Sequence, residues 1–452
     1  MTSSTAPQDK HGLLSAPINR VLPAMTIPMI FGLVAILLFN LVDTFFVARL
    51  GTDALAAISF TFPVTFAVNC ITMGIGVGLA SLIGRQLGKG DLSAAARLTT
   101  HGLLLAVILV ALTTLVGYHT IEPLFTLLGA SLELLPMIRD YMEVWYLTIP
   151  LLVIPMAGNS AIRAGGDTKT PAKIMMLAGI INGILDPLLI FGLGPFPEWG
   201  IRGAAIASGI SWAGALVGSG WVLIKRERLL GKPNRQMLGS DWRQILSIGT
   251  PAGLSNAMNP LSGALLMVIL AQHGNAAVAA YGAAQRIESL LLIVIMALAS
   301  IFTPFMAQNL GAKRFDRTRQ GLLTALHFTL GFQLLIYILL VPITWPLTHF
   351  FIDDVQVQEA LWLYLITVPA SYGMQGMLMV LIATLNAMQK STQAMLWTSL
   401  RLFGLMLPGA LIASRYFDTE GIFISLAIAN VVAGSGAYLH ARYIRKQWQQ
   451  CL

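Results

Sequence analysis

The sequence predicts an all-α integral membrane protein: twelve transmembrane helices in two six-helix bundles, related by a pseudo-two-fold axis along the membrane normal. Three observations predict it: the composition, the number of apolar runs and a long internal repeat. The 452 residues are 56% hydrophobic and 11% charged, with a mean hydropathy of +0.74. Soluble domains carry about 25% charge. Each helical span needs about 20 apolar residues, and such runs recur along the whole chain.

The runs fall at 21–48, 54–82, 96–117, 138–160, 171–193, 201–224, 243–271, 277–305, 320–341, 359–384, 393–413 and 421–441. Residues 1–20 are polar, lack a cleavable signal pattern and form an N-terminal cytoplasmic segment. Residues 21–224 form an N-terminal lobe and 243–441 a C-terminal lobe. Between them, 225–242 reads as a basic, mobile link, and 442–452 as a cytoplasmic tail. The other longer connections are 118–137 and 342–358. Cys70 lies in an apolar run and Cys451 is penultimate, so no disulfide framework is expected.

Lysine and arginine set the orientation. With the N-terminus inside, 22 of the 28 basic residues fall in inside segments and four (Arg49, Arg139, Arg202, Arg415) outside. Arg286 and Arg401 fall within spans. This asymmetry follows the positive-inside rule and makes both termini cytoplasmic. The net charge of +8 is spread over loops, which suits membrane topology rather than nucleic-acid binding.

Shifted by 223 residues, the chain matches itself without gaps over a long stretch. Pro28 falls on Pro251, Ala48 on Ala271, Gly51 on Gly274, Met73 on Met296, and Leu87-Gly88 on Leu310-Gly311. Six spans per repeat give the lobes one orientation, a parallel repeat of the kind found in some secondary transporters.

Asp43 and Asp186 lie inside otherwise apolar runs, where a charge is costly and a functional candidate by default. Their repeat-mates are Leu266 and Gly409. A role imposed by the shared fold would recur in both lobes, so the asymmetry points to a site in the N-terminal lobe. Asn182 and Asp186, four apart, share a helix face; Asn40 precedes Asp43 by three. At 1.5 Å per residue both acids lie roughly 10 Å or less below the outer face. Pro187 loosens the helix beside Asp186. Such a cluster suits a proton shared between carboxylates, or Na⁺ held by Asp43, Asn182 and Asp186; a structural polar cluster is the competing reading. Tyr141 is at a depth to reach the pair or to sit in the interfacial belt, and Ser208 offers a hydroxyl or simple close packing. Pro28 is a candidate bend. Asn40, Asn159, Met175 and Met176 are candidate substrate-pocket residues on spans one, four and five.

Other features read as structural. Arg286 and Glu288 suggest an ion pair, mutual or between helices. Arg401 demands an acceptor or a water-filled cavity. His101 and His327 are expected at the membrane interface. The run GIGVGLASLIG at 74–84 reads as close helix packing rather than a phosphate loop. No nucleophile–base pair or cysteine–histidine cluster emerges, so an enzyme is not expected.

The chain resembles the multidrug and toxic compound extrusion (MATE) transporters over nearly its whole length. The segments carrying the resemblance are PMIFGLVAILLFNLVDTFFVARLGTDALAA, AIRAGGDTKTP, NGILDPLLIFGLG and GIRGAAIAS. Asp43 with Asn182 and Asp186 is similar to the DinF-like branch. The other main bacterial branch carries acids in spans seven and ten, where this chain offers Asn256, Asn259, Gln375 and Asn386. The resemblance implies a V-shaped central cavity between the lobes and cation-coupled antiport of organic, often cationic, compounds by alternating access. It implies an ion site at Asp43, Tyr141, Asn182 and Asp186, with Ser208 in place of a common threonine, and a bendable first helix at Pro28. The expected setting is a monomer in the bacterial inner membrane, using H⁺ or Na⁺ and no cofactor, with small organic substrates and the lipid bilayer as partners. A lipid-linked oligosaccharide flippase of the same superfamily and a channel or membrane receptor are the alternative functions.

Overall fold

Apolar runs with no water to satisfy their backbone must close every hydrogen bond internally, and they do so here as helices. The computed structural model describes residue 9 and residues 11–450; Lys10 and Cys451 lie outside them. Among the described residues there is no strand. Eleven helices are long and apolar enough to cross a membrane, and a pair bent by 44°, Leu135–Thr148 with Pro150–Ala164, completes twelve spans.

Spans one to three are Ile18–Ala48, Thr52–Gly88 and Leu92–His119. The bent pair is span four; Lys169–Ile190 and Gly200–Arg226 are five and six. In the second lobe, span seven is Arg235–Ala271. Span eight joins Asn275–Leu291 to Ile293–Gly311. Spans nine to twelve are Phe315–His349, Val355–Ala387, Ser391–Tyr416 and Asp418–Gln449. Several helices outrun their apolar segments because capped polar turns continue the ladder. Asp91 and Asn234 cap spans three and seven through their side chains, and Asp354 caps span ten.

The backbone carries the repeat independently of side-chain identity. Three pairs of residues 223 apart share the left-handed conformation: Gly51 and Gly274 (φ +123° and +105°), Gly90 and Lys313 (+81° and +55°), Gly166 and Gln389 (+98° and +63°). Lys313 and Gln389 hold it without being glycine, which is uncommon, so the turn geometry itself is duplicated. Packing is duplicated too. Span one packs on five and five on six; seven packs on eleven and eleven on twelve. Between lobes, span two meets seven, one meets eight, and two meets eight, a set that a two-fold axis maps onto itself.

The run at 74–84 makes the inter-lobe seam. A Cβ on Gly74 would collide with the Gly249 carbonyl, and one on Gly78 would sit 2.8 Å from the Ile245 carbonyl. Hydrogen bonds between the lobes, and from the C-terminal lobe to the N-terminal segment, lie on the side that carries both termini. Gln308 donates to the Ala164 carbonyl (2.6 Å), Ser81 to the Asn386 carbonyl (2.8 Å), and Arg317 to the carbonyls of Leu13 and Ala16 (2.9 and 2.8 Å).

Four sequence expectations change. The fourth span is bent because Pro150 begins a new helical segment where its missing N–H costs nothing. The ninth helix extends to Phe351, shortening the connection expected at 342–358 to 352–354. The inter-lobe link is not a free tether. Arg226 pairs with Asp167, Gly231 exchanges hydrogen bonds with Thr100, and Asp241 accepts from Arg97 (3.0 Å). His101 is not interfacial: it is fully buried, with Nδ1 2.7 Å from Asp241 and Nε2 accepting from the Asn234 N–H.

Candidate ion and substrate sites

Small residues on both spans let span one approach span five. An added Cβ at Gly32 would lie 3.4 Å from Ala172, at Gly179 3.8 Å from the Ala35 carbonyl, and at Gly183 3.6 Å from Val42. The next residue after Val42 is Asp43, and one turn above Gly183 comes Asp186. Span six is drawn onto five in the same way, since a Cβ on Gly203 would collide with the Leu189 carbonyl. Ser208 thereby reaches the same level.

Asn182 and Asp186 are fully buried. The Asn182 amide donates to Asp186 Oδ1 at 3.0 Å and reaches Ser208 Oγ at 3.4 Å. That leaves three buried oxygens with no partner: Asp43 Oδ1, Asn182 Oδ1 and Asp186 Oδ2. More than 90% of buried polar groups are normally bonded. Seven buried polar side-chain atoms among the described residues lack a partner, and this one cluster supplies three of them. Tyr141, buried on the bent fourth span, lies within electrostatic range of both acids, as the acids do of each other. Pro187 has no N–H, so the Gly183 carbonyl one turn below loses its helical donor. The set is acceptor-rich and donor-poor, the chemistry of a site for a proton or a small cation.

The other expected residues are placed as follows. Asn40 is exposed on span one. Met175 is half-buried and Met176 exposed, roughly 10 Å along span five from Asn182. Asn159 is buried and accepts from Ser219 at 3.2 Å, joining spans four and six away from the acids. Pro28 lies within an unbroken first helix.

The second lobe has a different polar interior. Tyr364, the repeat-mate of Tyr141, donates to Glu288 at 2.8 Å. Arg286 is exposed and forms no ion pair with Glu288; two residues apart, they face different sides of the helix. Arg401 donates to Asn430 (3.2 Å) and Asn259 (3.4 Å). Sequence reasoning singled out Arg401 and Glu288 but missed Tyr364, Asn430 and the packing glycines Gly179 and Gly183. The 223-residue shift applied to Tyr141 finds Tyr364; no local pattern signals Asn430.

A family model described as MatE matches twice, at residues 28–188 and 251–412, one match in each lobe. The chain belongs to the MATE family. This MATE protein is 46% identical to the FAD transporter of Shewanella oneidensis, over 97% of each chain. It is 26% identical to the multidrug export protein MepA of Staphylococcus aureus, over 95% of each. Among solved structures, the MATE transporter VcmN of Vibrio cholerae in the bent form superposes with a TM-score of 0.91 at 32% identity, covering 96% of this chain and 98% of that one. The chain is a multi-pass membrane transporter of this family.

Proposed function

We propose that this MATE protein is an ion-coupled exporter of the bacterial inner membrane, with cytoplasmic termini, and that Asp43, Asn182 and Asp186 form its coupling site. The three unpartnered buried oxygens carry this reading, since a proton on one carboxylate would supply a donor that the cluster lacks and Na⁺ would supply a charge for its acceptors. Asp43 and Asp186 are the charge-bearing ligands; Asn182 orients Asp186 and adds its carbonyl oxygen. Tyr141 and Ser208 close the site from spans four and six. The acid pair on spans one and five, with Asn256 and Asn259 on span seven and Gln375 and Asn386 on span ten, supports the DinF-like branch.

With both termini cytoplasmic, the inter-lobe hydrogen bonds close the cytoplasmic side, and the ion enters from outside. A proton neutralises one carboxylate; Na⁺ would bind both. Either change alters how span one sits on span five, and Pro28, lacking the hydrogen bond to the Ala24 carbonyl, lets the first helix bend. Coupling requires that the ion favour one state over the other. We favour H⁺ because two carboxylates in a donor-poor pocket readily share one proton.

The acidic pocket suits organic cations as cargo. The stronger likeness to a FAD transporter than to MepA supports a second cargo, an anionic aromatic nucleotide. Uptake by inside-out proteoliposomes under a pH gradient, with and without Na⁺, tests the coupling. Gradient-driven uptake should be lost in Asp43→Asn at matched reconstitution. Undiminished uptake in that variant would overturn the assignment.

A further inference from the structure

We infer that the interior of the C-terminal lobe is a binding site for the acidic group of an aromatic organic anion, held by Arg401. This deepens the exporter reading and rests on it for the cargo's identity as a transported compound, while the site itself stands on separate observations. A cavity of ≈ 290 Å³ lies within that lobe, lined from every one of its spans but the ninth. Arg401, Asn259, Asn430, Glu288, Tyr281 and Tyr364 face it.

Arg401 makes no ion pair among the described residues. Its hydrogen-bond acceptors are two neutral amide oxygens, at 3.2 and 3.4 Å. A guanidinium has five N–H donors, so most remain free for an oxyanion, which it grips in a bidentate fork. The one carboxylate lining the cavity, Glu288, accepts from Tyr364 and lies within electrostatic range of Arg401 without forming an ion pair with it. The amide oxygens orient the guanidinium without neutralising it, and Glu288 offsets its charge only from beyond ion-pair distance, so its free N–H groups can take an oxyanion.

Two further observations set this arginine apart. It lies in a π-helical segment, Leu400–Met406, in the middle of span eleven, whereas the other π segment among the described residues, Val222–Arg226, ends span six; such segments are frequent at functional sites. The equivalent stretch of span five is regular helix. The constellation is also private to this lobe: Arg401, Glu288, Asn259 and Asn430 have Ala178, Thr65, Ile36 and Ala207 as repeat-mates. Tyr281 and Tyr364 stand edge to face at 6.2 Å and give the cavity an aromatic wall. Its volume lies just below the roughly 300–1,000 Å³ of ligand pockets, enough for part of a ligand. It takes an acidic group and an adjacent ring, with the rest of a larger compound extending between the lobes.

The test uses the full-length protein in nanodiscs, with binding read by quenching of flavin fluorescence. FAD carries phosphates; riboflavin presents the same ring without them. The expected result is that Arg401→Gln weakens FAD binding by roughly tenfold or more, the scale of a lost charged hydrogen-bond pair, and leaves riboflavin little changed. Arg401→Lys should fall between. Glu288→Gln should hold or tighten FAD binding, since it removes the only opposing charge. Asn430→Leu, which frees the guanidinium from its orienting amide, should weaken FAD binding and serves if Arg401→Gln does not fold. Wild-type FAD affinity in folded Arg401→Gln, or equal weakening of FAD and riboflavin, would overturn the proposal. So would FAD binding that vanishes when phosphatidylglycerol replaces phosphatidylcholine at high salt, because an anionic lipid headgroup would then be the occupant. Asp43→Asn keeps the two claims apart: it should retain FAD binding while losing gradient-driven transport.

Discussion

Both lobes repeat one fold, yet they bury opposite chemistry. Tyr141 and Tyr364 are repeat-mates, at the same level of spans four and ten. In the N-terminal lobe the tyrosine lies near two acids whose outer oxygens have no partner. In the C-terminal lobe it donates to a single glutamate, and the charge left without an ionic partner is a guanidinium. The left-handed turns, helix starts and inter-helix packing were kept through duplication, whereas the buried charges were not. The scaffold therefore supplies the movement, and each lobe has acquired its own ligand chemistry.

The largest break in this comparison is expected from Asp186→Asn. It leaves the bond to Asn182 possible but removes a charge that the site needs to discharge, so gradient-driven transport should fall to background in proteoliposomes. The matching change at its repeat-mate, Gly409→Ala, touches only Ser425, 3.4 Å from the new Cβ, and transport should persist. Gly183→Leu comes next. It inserts a side chain between spans one and five where Val42 is 3.6 Å away, and overpacking of this kind costs about 1–3 kcal/mol. Transport should drop strongly and the melting temperature should fall by a few degrees, on the order of that cost for a large protein.

Pro28→Ala and Pro251→Ala form a paired test. If the first helix bends at Pro28, its replacement should slow transport several-fold, while the repeat-mate change should have a smaller effect on rate. Equal slowing would assign the prolines to the shared scaffold. A smaller effect on transport is expected from His101→Ala, which strips the buried partner of Asp241 and loosens the inter-lobe link. It should lower thermal stability, because Asp241 is left with Arg97 alone, and leave substrate affinity unchanged.

Much of this was legible in the sequence. Asp43 and Asp186 stood out because a carboxylate in an apolar run has no ordinary role, and Asn182 followed from helical spacing. The repeat was readable because small residues at turns and seams resist replacement. What stayed hidden depends on contacts between distant segments. Asn259 and Asn430 meet Arg401 across 142 and 29 residues, and hydropathy does not register such pairs. The pinning of the inter-lobe link was hidden for the same reason: a basic, turn-rich stretch looks alike whether it is free or tied to Thr100 and His101. The bend of the fourth span was hinted at by Pro150, but proline begins helices as readily as it breaks them.

The central claim is that the titrating or ion-binding carboxylates belong to the N-terminal lobe. Difference infrared spectroscopy of the reconstituted protein after a pH step tests it most directly, by following the band of a protonated carboxyl group. The account predicts a band that disappears in both Asp43→Asn and Asp186→Asn and persists in Glu288→Gln. A band that survives both aspartate changes and vanishes with Glu288→Gln would contradict it.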